Sequence, residues 1–305
     1  MVTDIATVNE KKGNMDIVVS GNKGAAFIKP DGLIKKSIGF KEHGGRVVCL
    51  ETIKNGICFL NRGGGWGPVS LYDYNGELKW SYGLTGSAPY DMIATEIDEN
   101  DQLEFVVGKN NSICLINYKG EVLWEQPESN VWHIEILDVD NDGKKEIVHS
   151  NAQGGLIIRD KDGKSLRKLK LPVYFSDFSL LNWQIDKDKL LTYLLTEDGK
   201  IYVINSQTLK KIAQFDAPGA PSKFTRGVQV FFDNKQKPYF AAVVSAGASS
   251  NRSILYIYNP NGNLIYHEVI AAFDSGVMAI RNDKTGAEKL LVGGEGEIWE
   301  YSLKN

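Results

Sequence analysis

"LYDYNGELKW", residues 71–80, reads as two short strands joined by a tight turn. Apolar and polar side chains alternate on either side of Asn75-Gly76, and a glycine there admits the positive φ that such hairpin turns need. The same figure returns 44 residues later as "LINYKGEVLW" (115–124). It recurs as "IIRDKDGKSL" (157–166) and "YIYNPNGNLI" (256–265), and an earlier copy is "AFIKPDGLIK" (26–35). "YVINSQTLKK" (202–211) keeps the shape without the glycine. The turn glycines Gly32, Gly76, Gly120 and Gly163 stand 44, 44 and 43 residues apart. From Gly163 to Gly262 is 99, room for two units if one carries an insertion.

Extending this period over the 305 residues gives seven units, starting near residues 3, 46, 90, 132, 175, 225 and 275. Each holds short apolar runs separated by turn signals. In the fourth they are "HIEIL", "KEIVHS", "GLIIRD" and "SLRKLKL". None has the length or the 3.6-residue period of a helix. Four strands per unit of 40–50 residues is the pattern of a β-propeller, whose blades stack because one alone cannot bury both faces. The expectation is an all-β, seven-bladed propeller of four-stranded antiparallel blades, one domain spanning 1–305. The last unit shows three strands, "VMAIRN", "KLLVGG" and "EIWEYSLK".

The totals narrow the function. Hydrophobic residues make up 42%, enough for a large core. Net charge is −3 with scattered lysines, so the basic face of a nucleic-acid binder is not expected. No apolar run approaches the roughly 18 residues of a membrane span. The first residues lack a signal peptide's basic and apolar regions. The chain is therefore cytoplasmic if Met1 is native, and extracytoplasmic if an upstream signal is missing; an unfilled fourth strand in the last blade favours the second. Cys49, Cys58 and Cys114 form no metal spacing and read as core thiols.

A second motif is "LDVDNDGKKEIVHS" (137–150). Asp138, Asp140 and Asp142 alternate before Gly143, as in a calcium loop, but position twelve is His149 and the acid falls at position nine, Glu146. An apolar pair, Ile147 and Val148, follows, so the loop opens onto a strand. Calcium takes six to eight oxygens, and alternating aspartates in a bend point theirs at one centre. Shifted by 42 residues, "TEIDENDQLEFV" overlays it with Asp98 and Glu104 retained, a degenerate second site.

"LDVDNDGKKEIV" resembles the FG-GAP or VCBS-type repeat of integrin α-chain and bacterial surface propellers. "YNGELKW" and "YKGEVLW" resemble PQQ-type blades, where an outer-strand tryptophan packs on the next blade. The first resemblance implies that the acidic loop joins the first two strands of a blade. It also implies that Asp138, Asp140, Asp142 and Glu146, with the Lys144 carbonyl, hold Ca2+.

Ligand candidates lie elsewhere. The loop "NRGGGWGPVS" centres Trp66 in a glycine cluster, and "SAGASSNRS" is a second long connection. Inner-strand starts read Asp4, Arg46, Asp91, His133 beside Trp132, Asp177, Arg226 and Ser275. They form either a polar ligand site or a set of charges that pair and hold the strands. No HExxH, GxSxG or GxxxxGK is present. The favoured function is a monomeric, non-enzymatic module binding carbohydrate or protein through Trp66, Trp132, His133, Arg46, Asp91, Asp177 and Arg226. The alternative is a polysaccharide lyase or hydrolase, with His133, Arg226, Asp91 and Asp177 carrying the chemistry.

Overall fold

The computed structural model describes residues 2–10, 14–21, 24–29, 31–39, 47–49, 58–62, 68–73, 75–83, 87–97, 102–175, 178–182, 190–216, 225–245, 252–271, 275–281, 286–293 and 297–303. Every element among them is a β-strand. The first sheet is β1 (Val2–Glu10), β2 (Asn14–Gly21), β3 (Gly24–Ile28) and β4 (Ile34–Gly39). The second is β5 (Val47–Cys49), β6 (Cys58–Arg62), β7 (Val69–Asp73) and β8 (Leu78–Tyr82). The third is β9 (Pro89–Thr95), β10 (Glu104–Lys109), β11 (Ser112–Asn117) and β12 (Val122–Pro127). The fourth is β13 (Ile134–Leu137), β14 (Glu146–Ser150), β15 (Gly155–Arg159) and β16 (Ser165–Lys170). The fifth is β17 (Phe178–Asn182), β18 (Leu190–Leu195), β19 (Lys200–Asn205) and β20 (Lys211–Asp216). The sixth is β21 (Thr225–Phe232), β22 (Pro238–Ser245), β23 (Ser253–Tyr258) and β24 (Leu264–Ile270). The last is β25 (Val277–Arg281), β26 (Glu288–Gly293) and β27 (Ile298–Ser302).

Strand order follows chain order in every sheet. Six four-stranded blades are thus present where seven units were expected, and the remaining stretch, β25–β27, is a sheet of three. The chain divides into two compact units, residues 1–134 with 161–163 and residues 135–160 with 164–305.

The hairpins explain the 44-residue period. In the second sheet Gly76 N–H donates to the Asp73 carbonyl and Asp73 N–H to that of Glu77, both at 2.9 Å. Gly76 has φ +87°, while its neighbour Asn75 is not left-handed. In the matching turn of the third sheet, residues 117–120, only Gly120 is left-handed, which makes it a type I turn closed by a glycine bulge. Asp73 Oδ1 accepts from Asn75 N and Glu77 N at 2.8 and 3.0 Å, an Asx turn that satisfies the bend. Asn117 and Asn259 accept in the same way. The β19–β20 turn has no glycine, and Leu209 takes the left-handed conformation at φ 55°.

The bulge sets a common register. Leu71 lies opposite Trp80, Leu115 opposite Trp124, and Ile158 opposite Arg167, with a one-residue shift following each. Phe27 faces Lys36, Val203 faces Ala213 and Ile257 faces Tyr266 at the same place. Side chains on the outer strand then meet the next hairpin. Trp80 Nε1 donates to the Tyr118 carbonyl at 3.0 Å, and Trp124 Nε1 to that of Lys161 at 2.8 Å. A Cβ on Gly120 would lie 2.9 Å from Trp80 Cγ, and one on Gly163 2.8 Å from the Trp124 ring. Each of the two tryptophans thus packs on the hairpin of the following sheet. The core between β7 and β11 is Val69, Leu71, Phe105, Cys114 and Ile116, all buried. Cys114 is a core thiol, its pKa pushed up to about 12 by burial.

Gly120→Ala and Gly32→Ala separate the two demands on a turn glycine. Both residues have φ near +86°, but nothing lies within 4 Å of a Cβ at Gly32. In urea denaturation Gly32→Ala should cost about 1–2 kcal/mol for the left-handed backbone. Gly120→Ala should cost about 1–3 kcal/mol more, from overpacking against Trp80. Equal losses would mean that the tryptophan gives way freely.

Candidate functional site

The acidic loop runs from the end of β13 to the start of β14, the first two strands of the fourth sheet. Asn141 and Gly143 are left-handed, at φ 60° and 90°, and they fold the loop back on itself. Asp138 Oδ1 and Oδ2 accept from Asp142 N and Gly143 N at 3.2 and 2.9 Å. Asp138, Asp140 and Glu146 each bring one carboxylate oxygen to within 4.8 Å of the others. Asp142 falls outside this group. Its Oδ1 accepts the Lys144 backbone N–H at 2.8 Å, because the Asx turn it caps draws the carboxylate back to its own chain.

Glu146 is 4% exposed, and its Oε2 accepts Val139 N at 2.8 Å. Burial, with Asp140, Asp142 and Asp138 close by, pushes its pKa up to about 7. Arg167 brings positive charge to the same loop. Its Nη2 donates to Asp140 Oδ2 at 2.8 Å while Nη1 donates to the Gln207 carbonyl. Arg167 occupies the place that Trp80 and Trp124 hold in earlier sheets. An all-oxygen, three-carboxylate set with one raised pKa fits a hard cation such as calcium. Asp138, Asp140 and Glu146 are the residues that would hold it.

The related loop of the third sheet places Glu104 alike. It is 2% exposed and its Oε2 accepts Ile97 N at 3.0 Å. Asp98 lies outside the described residues. Glu104 and Glu146 therefore share a structural task, capping the backbone just past an inner strand.

The inner-strand starts behave differently from the expected list. Asp91, on β9, is 4% exposed; its Oδ2 accepts Ile134 N at 2.7 Å and lies 3.1 Å from His133 Nδ1. Within the second compact unit, Glu135 Oε2 accepts Leu180 N at 2.9 Å and Ser179 Oγ accepts Val230 N at 3.1 Å. Positions 91, 135 and 179 are 44 apart, the period of the hairpins. The counterparts of Asp91 are thus Glu135 and Ser179, rather than His133 and Asp177. β13 begins at Ile134 and β17 at Phe178, so the expected register runs two residues early. A polar residue recurring at that spacing within apolar inner strands was the available signal.

Trp132 stacks on Tyr90, ring centroids 4.1 Å apart and planes 16° apart. This aromatic pair immediately precedes Asp91 and His133 in the chain. Arg226 lies on β21, where the pairing with β22 shifts register. Trp66, Arg46 and Asp177 lie outside the described residues, as do Gly65 and most of "SAGASSNRS". His149, buried, accepts from Arg159 Nε at 2.9 Å, and His267 is exposed on β24. Among the described residues, no helix is long and apolar enough to cross a membrane.

No family model and no curated protein matches the chain. Solved structures do. BBS1N, crystallised in complex with ARL6DN and soaked with lead, has a TM-score of 0.71 at 12% identity, over 98% of this chain and 91% of that one. Its mercury-soaked counterpart gives 0.70, at 12% identity over 98% and 90%. Sqt1 of Saccharomyces cerevisiae gives 0.67 at 12% identity, over 98% and 81%. With the meandering four-stranded sheets, this likeness identifies the fold as a β-propeller.

Proposed function

We propose that the chain is a calcium-binding, seven-bladed β-propeller acting as a non-enzymatic module that binds a protein partner. In this reading β25–β27 is the seventh blade. The observation that carries it is the use made of the inner-strand polar groups. Asp91, Glu135 and Ser179 each accept a backbone N–H from the next inner strand. A buried acceptor engaged this way holds strands together, and removing it leaves a donor unsatisfied. Asp91 and His133, the acid–base pair of the lyase or hydrolase alternative, are thereby occupied with each other and with Ile134. What remains for recognition is the aromatic step of Tyr90 and Trp132, a large rigid surface of the kind enriched in interface hot spots. That BBS1N was crystallised with a protein partner supports a protein rather than a carbohydrate as the ligand.

Calcium is the structural half of the proposal, with Asp138, Asp140 and Glu146 as ligands. Extracellular modules bind it at about 10⁻⁴–10⁻³ M, which suits one small loop and an extracytoplasmic setting.

Three measurements test this. First, calcium at a hundredfold its Kd should stabilise the fold by about 2.7 kcal/mol, raising Tm; EDTA or Asp140→Ala should remove the gain. A melting curve indifferent to both would end the metal claim. Second, in EDTA the folded Glu146 titrates at about 7, above its ordinary 4.5. The native state then holds a proton that the unfolded chain has lost, so stability falls as pH rises from about 4.5 to about 7. Glu146→Gln should flatten this slope, read by urea midpoints at the two ends of the window. Third, wild type should form no unsaturated product from uronic-acid polymers, and a glycan array should stay dark. A partner captured from lysate by wild type should be lost with Trp132→Ala at unchanged Tm. Product formed by wild type and abolished in His133→Ala would establish the enzyme instead.

A further inference from the structure

The outer-strand residue just before the bulge differs from sheet to sheet. It is Lys36, Trp80, Trp124, Arg167, Ala213 and Tyr266 in the six sheets that have an outer strand. Five of these are long or ring-bearing side chains, whereas Ala213 offers a single methyl group. Trp80 shows what a ring at this position touches. Its indole meets Phe105 edge-on, centroids 5.4 Å apart, lies against Gly120 and donates to the Tyr118 carbonyl.

The fifth and sixth sheets keep those surroundings. Phe240 pairs with Tyr258 as Phe105 pairs with Ile116. Gly262 is the turn glycine, and Pro260 precedes it by two residues as Tyr118 precedes Gly120. Phe240, Pro260 and Gly262 line one cavity of about 220 Å³ together with Ala213, all within the second compact unit. Each neighbour of Trp80 just named thus has its counterpart on the wall, and the tryptophan is the part replaced by alanine. Other side chains make up some of the loss. A Cβ on Gly262 would lie 2.8 Å from Phe215 Cγ, and Tyr193 stacks on Phe240 with centroids 5.4 Å apart. Neither of these side chains carries an N–H for the Pro260 carbonyl.

The pocket has the character of a ring site. Leu191, Val203 and Phe240 give it a buried apolar lining, while Ala213 and Pro260 are exposed and open it to solvent. An apolar cavity of about 150 Å³ is enough to hold benzene, and the larger space here leaves room for a second fused ring. Aromatic walls with a single well-placed polar group favour a flat ring held in one orientation. We propose that this pocket binds an indole ring from outside the chain, with its N–H donated to the Pro260 carbonyl. A free indole compound and a tryptophan side chain carry that ring alike. The pocket shares no residue with the Tyr90–Trp132 step, so its test is independent of the partner reading.

Indole titrated into the intact protein and followed by calorimetry should bind saturably, with a Kd of about 1 mM or tighter. N-methylindole, which lacks the donor, should bind roughly threefold to tenfold more weakly. Ala213→Trp supplies the chain's own indole and should weaken binding by at least about tenfold, with Tm held or raised as for a filled cavity. Ala213→Leu, a smaller filling, should weaken it several-fold and decides if the tryptophan variant does not fold. No saturable binding by wild type, or binding that both substitutions leave unchanged, overturns the site. Equal binding of indole and N-methylindole overturns the bond to Pro260. Glycyl-tryptophanyl-glycine amide separates the two sources. Bound more tightly than indole, it makes the ligand a tryptophan of a partner polypeptide; bound more weakly, it makes it a free indole compound, and either result upholds the pocket.

Discussion

A glycine without a Cβ, seated against a large side chain of the preceding sheet, is the contact on which the repeat depends. The hairpin needs glycine twice over. Its φ near +86° closes the bulge, and the absence of a side chain lets the turn settle on the ring of Trp80 or Trp124. Gly76 meets Ile38, and in the second compact unit Gly262 meets Phe215, in the same fashion. One residue thus serves turn geometry and packing together, and Gly32, Gly76, Gly120 and Gly163 follow one another at 43 or 44 residues. The indole N–H bonds to Tyr118 and Lys161 carbonyls complete the contact by satisfying a polar atom that burial would otherwise penalise.

Where the glycine is lost, the contact changes chemistry. The β19–β20 turn carries Leu209 at positive φ and is one residue longer, Asn205 N–H bonding the Lys210 carbonyl. The side chain meeting it is Arg167, which reaches the Gln207 carbonyl as the tryptophans reach theirs. A guanidinium has donors to spare, and the second goes to Asp140. The departure from the aromatic pattern and the acidic loop therefore occur in one sheet and share one side chain. A divalent cation in the loop, as proposed, would compete with Arg167 for Asp140.

The periodic features were legible in the sequence because they are local. Turn glycines, alternating strands and the loop joining β13 to β14 all follow from residues a few places apart, and the four-strand meander follows from them. What stayed hidden depends on which way a side chain turns, or on partners one sheet away. Asp142 has the same sequence credentials as Asp138 and Asp140, yet an Asx turn removes it from the cluster. Glu135 and Ser179 bond backbone groups 45 and 51 residues distant, and nothing nearby in the chain marks them as acceptors. His133 and Asp177 stand two residues ahead of Glu135 and Ser179 in the chain. An offset of two residues preserves the alternation of a strand, so the apolar pattern does not distinguish the two registers.

Glu104 and Glu146 show how a motif can carry a structural duty beneath a chemical one. Both are buried first residues of a second strand, and both accept the N–H of a residue just beyond the first strand. That bond needs no metal. At Glu146 three aspartates have gathered around the same carboxylate, and together with its burial they hold it near neutrality. A buried acid in that state is either protonated or matched by a cation, and the proposed calcium would be that match. The loop thus gathers charge around an acceptor that the fold already requires, and in the proposed reading a cation would meet that charge. Its location between first and second strands is set by the cap, and a ligand-binding role for that end of the sheet does not follow from it.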